Sequence, residues 1–517
     1  MPATGFFAVA DLAPDRPALV DPTERVFTFG ELAATANRTA RGLRAAGLRP
    51  GDTVATMMAN SVELLEVYAA AAQIGCCLVV VNWHLTADEV AYILEDSATR
   101  LLVVDDPHAA AAEAGAARAG VPTSLRFCRD ARAGFRPLAE LSEGQADDPL
   151  PDRRAGQVMF YTSGTTGRPK GVRKRFDEVP ADQIGLTTPI GPFPRAPFDP
   201  VGDDVHIVGG PLYHAAPLAG AAIALDAGAV LVLMDRWTPQ RWLDLVERYR
   251  VTNASMVPTM FHRLLALPDE VRARSDVSSL RSVSHAGAPC AVDLKHRMLD
   301  WLGPIITESY SSTEGAGTSV TAQEWLLRPG TVGRPSPGVT LKILDDDGNE
   351  CASGVEGLVY LSPALWEFEY HHDPAKTDAN RRDGLFTVGD IGYVDDDGYL
   401  FLCDRQAEVI ISGGVNIYPA EVEAALLAHP AVGDAAVIGV PDDEWGEEVR
   451  AIVEPRRGAV PGPGLERILV QWCRDRLAHF KCPKRVDFVD TMGRDPNGKL
   501  RKAQLRASYW EGRIRRI

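Results

Sequence analysis

The sequence predicts an α/β protein with two parts. The first is a large N-terminal domain of layered α/β sheets with a β subdomain, and the second is a small, mobile α+β C-terminal domain. Three observations carry this. Short β-prone apolar runs alternate with helical Ala/Arg/Leu stretches, as in layered α/β sheets. A strand-like run, Val158-Met159-Phe160-Tyr161, breaks into a loop of glycine, serine and threonine. Near Asp404-Arg405 the pattern restarts with its own order of strands and helices. At 517 residues the chain is too long for one compact core and corresponds to about three or four units of ordinary size.

The elements follow in order. Thr28-Phe29-Gly30-Glu31-Leu32 opens a helix that runs to about Ala46. Gly51-Asp52 turns into a strand at Thr53–Met57. Glu63–Gln73 is helical, and Cys77–Val81 and Leu101–Asp105 are strands. Val205–Val208, Val230–Met234 and Ser282–Ser284 continue the alternation. Residues 178–202 contain Pro180, Pro189, Pro192, Pro194, Pro197 and Pro200 and read as a long irregular loop. From Gly338 to Tyr360, short strands and Asp/Gly turns suggest the β subdomain. Residues 1–403 are therefore assigned to the large domain and 404–517 to the small one. In the latter, Val409–Ile411, Val415–Ile417, Ala435–Val440 and Val449–Val453 read as strands. Pro419–Leu427, with proline at its first position, and Leu465–Leu477 read as helices. There is no internal repeat.

Composition narrows the function. A net charge of −16 disfavours nucleic acid as a partner. It does not disfavour a nucleotide, because only the local site must be positive. The eight cysteines form no Cys-x-x-Cys pair, and no histidine cluster has metal-ligand spacing. They read as thiols of a reducing compartment, which implies a cytoplasmic protein. The N-terminus has no basic stretch followed by an apolar core. Gly209–Met234 is apolar enough to suggest a membrane span, but it carries His214, Asp226 and two prolines and reads as buried α/β core. Oligomeric state is not legible.

The most informative stretch is Phe160-Tyr161-Thr162-Ser163-Gly164-Thr165-Thr166-Gly167-Arg168-Pro169-Lys170-Gly171. Glycines let backbone N–H groups approach a polyanion, hydroxyls add donors, and Lys170 adds a point charge. It is not a Walker loop, because Pro169 precedes Lys170 and Gly171 follows it. Eleven consecutive positions, Tyr161 to Gly171, resemble the signature loop of the adenylate-forming superfamily of acyl-CoA synthetases, luciferases and peptide-synthetase adenylation domains. Further segments match in the family's order: Pro211-Leu212-Tyr213-His214, His285-Ala286-Gly287-Ala288-Pro289, Tyr310-Ser311-Ser312-Thr313-Glu314, Phe386-Thr387-Val388-Gly389-Asp390 and Asp404-Arg405. The series ends with Ile411 to Glu421, Phe480-Lys481-Cys482-Pro483-Lys484 and Pro496-Asn497-Gly498-Lys499. The nearest likeness is to bacterial fatty-acid–CoA ligases.

The resemblance implies ATP, Mg²⁺ and coenzyme A as cofactors, and a long-chain or bulky hydrophobic carboxylic acid as substrate. Thr162 to Gly167 and Lys170 would hold phosphates. Gly287, Ala288 and Pro289 have little bulk, so adenine can lie against them, with Tyr310 on its other face. Ser309, Ser311 and Ser312 belong to the same nucleotide site. Glu314 is a hard oxygen ligand suited to Mg²⁺, although alone it reads as a helix cap. Thr313 can donate to the α-phosphate. Asp390 can accept from a ribose diol, and Arg405 can donate to ribose or phosphate oxygens. Lys499, alone an ordinary surface lysine, takes the place of the lysine that swings in for adenylation. Asp404 stands at the family's hinge, and Ser412, Gly413 and Gly414 at its CoA-side segment. His214 would gate the carboxylate tunnel, with His285, Ala286 and Gly287 in the acyl pocket. Small residues Ala215, Ala216 and Ala288 leave room for a long chain or a bulky acid.

One departure is Met492-Gly493-Arg494, where the family usually has Leu-Pro-Arg, which would loosen the loop carrying Lys499. The C-terminal stretch holding Arg494, Arg501, Lys502, Arg506, Arg513, Arg515 and Arg516 reads as a solvated tail. Three rivals stand beside a CoA ligase. One is an enzyme that passes acyl-AMP to a carrier protein or transferase. Another is an amino-acid adenylation domain, disfavoured because Gly209–Leu225 has no carboxylate for a substrate ammonium. The third is a non-catalytic nucleotide-binding protein on the same fold.

Overall fold

The structure, a computed structural model, describes residues 5–130, 132–162, 169–175, 179–188, 203–315, 317–362, 367–412, 415–442, 445–494, 500 and 502–511. Two large sheets dominate the N-terminal domain. In the first, six strands run parallel in the order Ile306–Tyr310, Ser282–His285, Asn253–Met256, Val205–Val208, Val230–Leu233 and Pro17–Val20, with antiparallel strands at both ends. In the second, six parallel strands from Gln157–Thr162 to Arg136–Pro137 are extended on one side by antiparallel Lys170–Arg175 and Glu367–Tyr370. Helices Phe29–Ala45, Val62–Gln73 and Ala215–Asp226 share one apolar core with the facing sides of both sheets. The outer sides are covered by separate helical layers.

Local sequence explains these elements. Strand Thr53–Met57 is buried at every residue and Cys77–Val80 likewise, so both read as unbroken runs rather than alternating ones. Helix Phe29–Ala45 opens on a capping box. Thr28 Oγ1 accepts from the Glu31 N–H at 3.2 Å, and Glu31 Oε2 accepts from the Thr28 N–H at 2.9 Å. The Gly209–Met234 stretch is core, as expected. Its helix packs between the sheets, and among the described residues no helix is long and apolar enough to cross a membrane. At the end of that helix, Asp226 Oδ1 accepts from the N–H groups of Phe6 and Leu186, and Oδ2 from the Thr187 N–H, all at 2.8 Å. This pins residues 186–187, inside the proline-rich segment; positions 189–202 lie outside the described residues.

The β subdomain is larger than the sequence suggests. Its antiparallel sheet starts at Leu341–Leu344 and ends at Leu400–Arg405, well beyond Tyr360. Strands of two to six residues joined by Asp/Gly turns carry too little periodicity to be counted from sequence. Its last strand includes Asp404 and Arg405, paired with Ile391 and Asp390.

The C-terminal domain is a five-stranded sheet with helices Pro419–Leu427 and Pro463–Arg474 around its own core. Its central hairpin, Val432–Asp442 with Gly446–Pro455, outruns the apolar segments because cross-strand pairing continues through polar residues. The expectation of a solvated tail fails at two positions. Arg494 makes a bidentate pair with Asp434, at 2.5 and 2.8 Å. Lys502 is buried, with Nζ 2.8 Å from Glu423 and 3.2 Å from Glu408. Burial pushes the Lys502 ammonium down, but those two carboxylates and Asp404 outweigh it and raise its pKa. Upstream of Lys499, buried Met492 and paired Arg494 anchor both sides of Gly493, so that end of the segment is held without a proline.

Two stability effects are expected. A Cβ on Gly42 would lie 1.6 Å from the Leu141 carbonyl oxygen. Alanine is the better helix former by about 1 kcal/mol, yet Gly42→Ala should lose about 1–3 kcal/mol through overpacking, read as a lower urea midpoint. Lys502→Met should cost about 3–5 kcal/mol by stranding Glu423, and adding Glu423→Leu should recover most of it. Hydrogen exchange of the Val432–Asp442 strand, whose Val437 N–H donates to Glu423, reports the Lys502 and Glu423 changes.

Candidate functional site

In open α/β sheets ligands gather beyond the carboxyl ends of parallel strands. Strands Ser282–His285 and Ile306–Tyr310 are parallel neighbours, so the segments that follow them, Ala286–Pro289 and Ser311–Glu314, emerge at the same sheet edge. Both border a cleft of about 2470 Å³ between the large domain and the C-terminal domain. Thr162, Lys170, His214, Ser309, Tyr310, Asp390, Asp404 and Arg405 border the same cleft. At Gly287 the backbone has φ +83°, and a Cβ would meet only Val257 Cγ1 at 3.9 Å. Conformation rather than space requires glycine there.

Cross-strand register builds one wall. Asp390 and Arg405 are direct partners in the antiparallel pair, and Arg405 Nε lies 3.2 Å from Asp390 Oδ1. Tyr310 Oη donates to Asp390 Oδ2 at 2.6 Å. Burial, then the Asp390 charge, holds the Tyr310 phenol well above its usual range, so it stays a donor. Asp404 turns toward the small domain. Its Oδ2 accepts from the Ala420 N–H at 3.0 Å, at the N-terminus of helix Pro419–Leu427. Tyr418 Oη donates to Glu356 at 2.5 Å across the same junction.

The neighbouring group of charges is cationic. Glu314 is buried and accepts from Tyr370 Oη at 2.9 Å. No helix begins at Glu314, which removes the capping role it suggests in isolation. Lys170 Nζ lies 5.2 Å above the Tyr370 ring. Burial, then the neighbouring Lys376 ammonium, pulls Lys170 down to about 8. Lys174, two residues further along the same strand face as Val172, is buried and pulled down to about 8 by burial, with Glu314 opposing. Lys170, Lys174 and Lys376 against the carboxylates of Glu314 and Asp373 leave a local positive excess in a chain of net charge −16.

The histidines differ. His214 precedes the Ala215–Asp226 helix, half-buried, with its ring 4.5 Å from that of Tyr213. His285 borders the cleft, but its ring is 1% exposed, packed edge-on to Phe261 at 5.1 Å and 3.5 Å from Glu308 Oε2. Glu308 accepts from the buried Lys295 at 2.6 Å. Burial, then the Lys295 charge, keeps His285 neutral. Ser312 and Gly315 close a turn through a 3.2 Å backbone bond, which sets Thr313 and Glu314 at its tip.

Ser163, Gly164, Thr165, Thr166 and Gly167, together with Gly413, Gly414 and Lys499, lie outside the described residues. Their flanks are placed. Thr162 pairs with Lys170 across a strand pair, and Ser412 with Val415. Sequence reasoning missed Tyr370, Lys376 and Lys174. For Lys174 a signal existed, because residues 170 and 174 share one face of a strand. Among the described residues, no group of three or more His, Cys, Asp or Glu side chains is arranged to hold a metal. The lone carboxylate of Glu314 fits a Mg²⁺ ion whose remaining ligands are phosphate oxygens and water.

Comparison with known proteins agrees with this geometry. Residues 6–365 match the AMP-binding enzyme family, and residues 421–499 match the AMP-binding enzyme C-terminal domain. The chain is 35% identical over 498 residues to the fatty acid–[acyl-carrier-protein] ligase ScoC of Streptomyces coeruleorubidus, covering 95% of this chain and 93% of that one. It is 33% identical over 506 residues to the long-chain-fatty-acid–CoA ligase FadD13 of Mycobacterium tuberculosis, covering 97% of each. The crystal structure of ATP-bound MatB from Rhodopseudomonas palustris superimposes with a TM-score of 0.80 at 30% identity, over 98% of this chain and 99% of that one. Matched nearly end to end, and with the strand-end loops that carry the family's motifs gathered at one cleft, the chain belongs to the AMP-binding enzymes of the adenylate-forming superfamily.

Proposed function

We propose that the protein activates a carboxylic acid with ATP and transfers the acyl group to coenzyme A. In the first step a carboxylate oxygen attacks the α-phosphorus, the α–β bridging bond breaks, and acyl-AMP and pyrophosphate form. In the second the CoA thiolate attacks the acyl carbonyl, the acyl–phosphate bond breaks, and AMP leaves. The observation that carries the reading is that the Asp390–Arg405–Tyr310 cluster and the Lys170–Lys174–Glu314 cluster border one cleft.

In this reading Gly287, Ala288, Pro289 and Tyr310 hold adenine, Asp390 takes the ribose hydroxyls, and Arg405 donates to ribose or phosphate oxygens. Ser309, Ser311, Ser312 and residues 162–167 line the nucleotide. Lys170 and Lys174 face the β- and γ-phosphates, and Thr313 donates to the α-phosphate. Mg²⁺ bound at Glu314 would supply charge neutralisation of the phosphates. Lys499 holds the carboxylate and α-phosphate only while adenylation proceeds, so catalysis is positioning and electrostatics. The small domain, residues 404–517, then rotates about Asp404 and brings residues 412–414 to the cleft for the CoA thiol. His214 gates the tunnel, and Ala286 and Gly287 border the acyl pocket, whereas the His285 ring, expected there, packs against Phe261 on the opposite face of the sheet. All eight cysteines are free, which suits a cytoplasmic enzyme.

A second reading has a specific basis. A relative at 35% identity is a ligase for an acyl-carrier protein, so a carrier thiol could replace CoA as acceptor. Pyrophosphate release and thioester formation over a panel of acids, with CoA, with a carrier protein and with neither, separates the two. Pyrophosphate without any thioester would leave adenylation alone.

Two substitutions test the assignments. Lys499→Ala should slow pyrophosphate release about 100-fold, while thioester formation from supplied acyl-AMP changes by less than about threefold. Equal loss of both steps removes Lys499 from its role. Lys174→Met should reduce ATP–pyrophosphate exchange about 100-fold, with Lys174→Arg restoring most of it. An unchanged Lys174→Met rate would mean that this lysine does not face the phosphates.

A further inference from the structure

Parallel strands sandwiched between helical layers ordinarily read as apolar on both faces. Four neighbouring strands of the nine-stranded sheet break that rule on one face only. The register sets Val208 beside Ser255, Ser255 beside Ser284 and Ser284 beside Thr307. Two residues earlier it sets His206 beside Asn253 and Asn253 beside Ser282. Paired residues share a face, as do positions two apart. One face is thus a field of hydroxyl, amide and imidazole groups. The other presents Ile207, Ala254, Val283 and Ile306 to an apolar core.

The polar face borders the cleft. Opposite it stands the Ala215–Asp226 helix, whose cleft-side residues include Ala216, Ala219, Gly220 and Ile223. At Gly220 an added Cβ would lie 3.3 Å from His206 Nε2 and 3.4 Å from Ser255 Oγ. The bare helix backbone therefore closes the far end of the acyl space directly onto two polar atoms. Ser255 and Ser284 Oγ are 3.3 Å apart. Below them Asn253 Nδ2 donates to Asp204 at 3.1 Å, and Arg281 seals the floor against Asp204 at 2.6 Å. Burial pulls the His206 imidazole down to about 4, so it is neutral, with one donor and one acceptor nitrogen. At about 3.3 Å per residue, Ser255 and Ser284 lie about 3 Å, His206 about 7 Å, and Asn253 and Ser282 about 10 Å below the carboxyl ends of their strands.

We infer that the acid activated here carries a hydroxyl or carbonyl at the end remote from its carboxylate, and that His206, Ser255 and Ser284 read that group. The inference rests on the acyl-activating function proposed above. Ser284 Oγ also lies 3.4 Å from the Ala254 carbonyl oxygen; an unsubstituted alkyl tail would set methylene groups against these polar atoms with no hydrogen bond in return, whereas a terminal hydroxyl or carbonyl would offer them a donor or an acceptor. A site built for such a group discriminates strongly against the analogue that lacks it.

The test uses the full chain with ATP, Mg²⁺ and two pairs of acids: 3-(4-hydroxyphenyl)propanoate against its 4-methyl analogue, and 8-hydroxyoctanoate against nonanoate. Pyrophosphate release should favour the hydroxylated member of at least one pair by about tenfold or more in kcat/KM. Ser284→Ala and Ser255→Ala should each shrink that ratio, and His206→Leu should bring it near one, through loss of the hydroxylated acid rather than gain of the other. Wild type that treats both members alike, or prefers the methyl-ended acids, overturns the inference. If no acid releases pyrophosphate, the proposed function fails. Calorimetric binding of the same pairs then decides the inference by itself: tighter binding of the hydroxylated acids upholds it, and equal affinity sinks it.

Discussion

The site depends on parallel register at one sheet edge. Strands Ser282–His285 and Ile306–Tyr310 are locked side by side by backbone hydrogen bonds, so the segments that follow them cannot drift apart. A slip of one residue would turn every side chain to the other face. Ser284 would enter the apolar layer, and His285 would leave its place beside Phe261, Glu308 and Lys295. The same constraint acts in the β subdomain, where antiparallel register makes Asp390 and Arg405 neighbours before any ligand arrives. The charged groups of the cleft are therefore positioned by the main chain, with little left to side-chain freedom.

Electrostatics follows from that scaffold. The chain is strongly acidic overall, yet Lys170, Lys174 and Lys376 outnumber the carboxylates of Glu314 and Asp373 beside them. Burial pulls down both Lys170 and Lys174, and the neighbouring Lys376 ammonium lowers Lys170 further. A polyanion relieves the cost of holding these charges, so the stored repulsion becomes binding energy. At the domain junction the balance is reversed. Buried Lys502 is surrounded by Glu423, Glu408 and Asp404, and the excess of carboxylates keeps it charged. Asp404 also holds the first turn of the Pro419–Leu427 helix, tying the strand end to the small domain beside the Tyr418–Glu356 contact.

Much of this was legible in the sequence because it is local. The capping box at Thr28 and Glu31, the proline opening the helix at Pro419, and the apolar runs at Thr53–Met57 and Cys77–Val80 all express short-range physics. The motif residues of the large domain and Arg405 were picked out by residue type, order and resemblance, and the described ones gather at one cleft. The β subdomain was cut short at Tyr360 because its strands are too brief to show a period. Lys502 was taken for part of a solvated tail because charge composition cannot reveal that two carboxylates wait for one ammonium.

By itself, then, the sequence determined the class of fold, the division into a large and a small domain, and the superfamily. Each rests on periodicity, turn chemistry and contiguous motifs, which need no knowledge of distant contacts. Only the tertiary structure decided what the strands do with their two faces. Ser255, Ser284 and His206 look like unremarkable strand residues one at a time, separated along the chain by dozens of positions. Parallel pairing brings them together, and the absence of a side chain at Gly220 brings a helix against them. The physical reason is that register and layer packing are set by hydrogen bonds and burial summed over a whole sheet, a quantity that no local window of the chain contains.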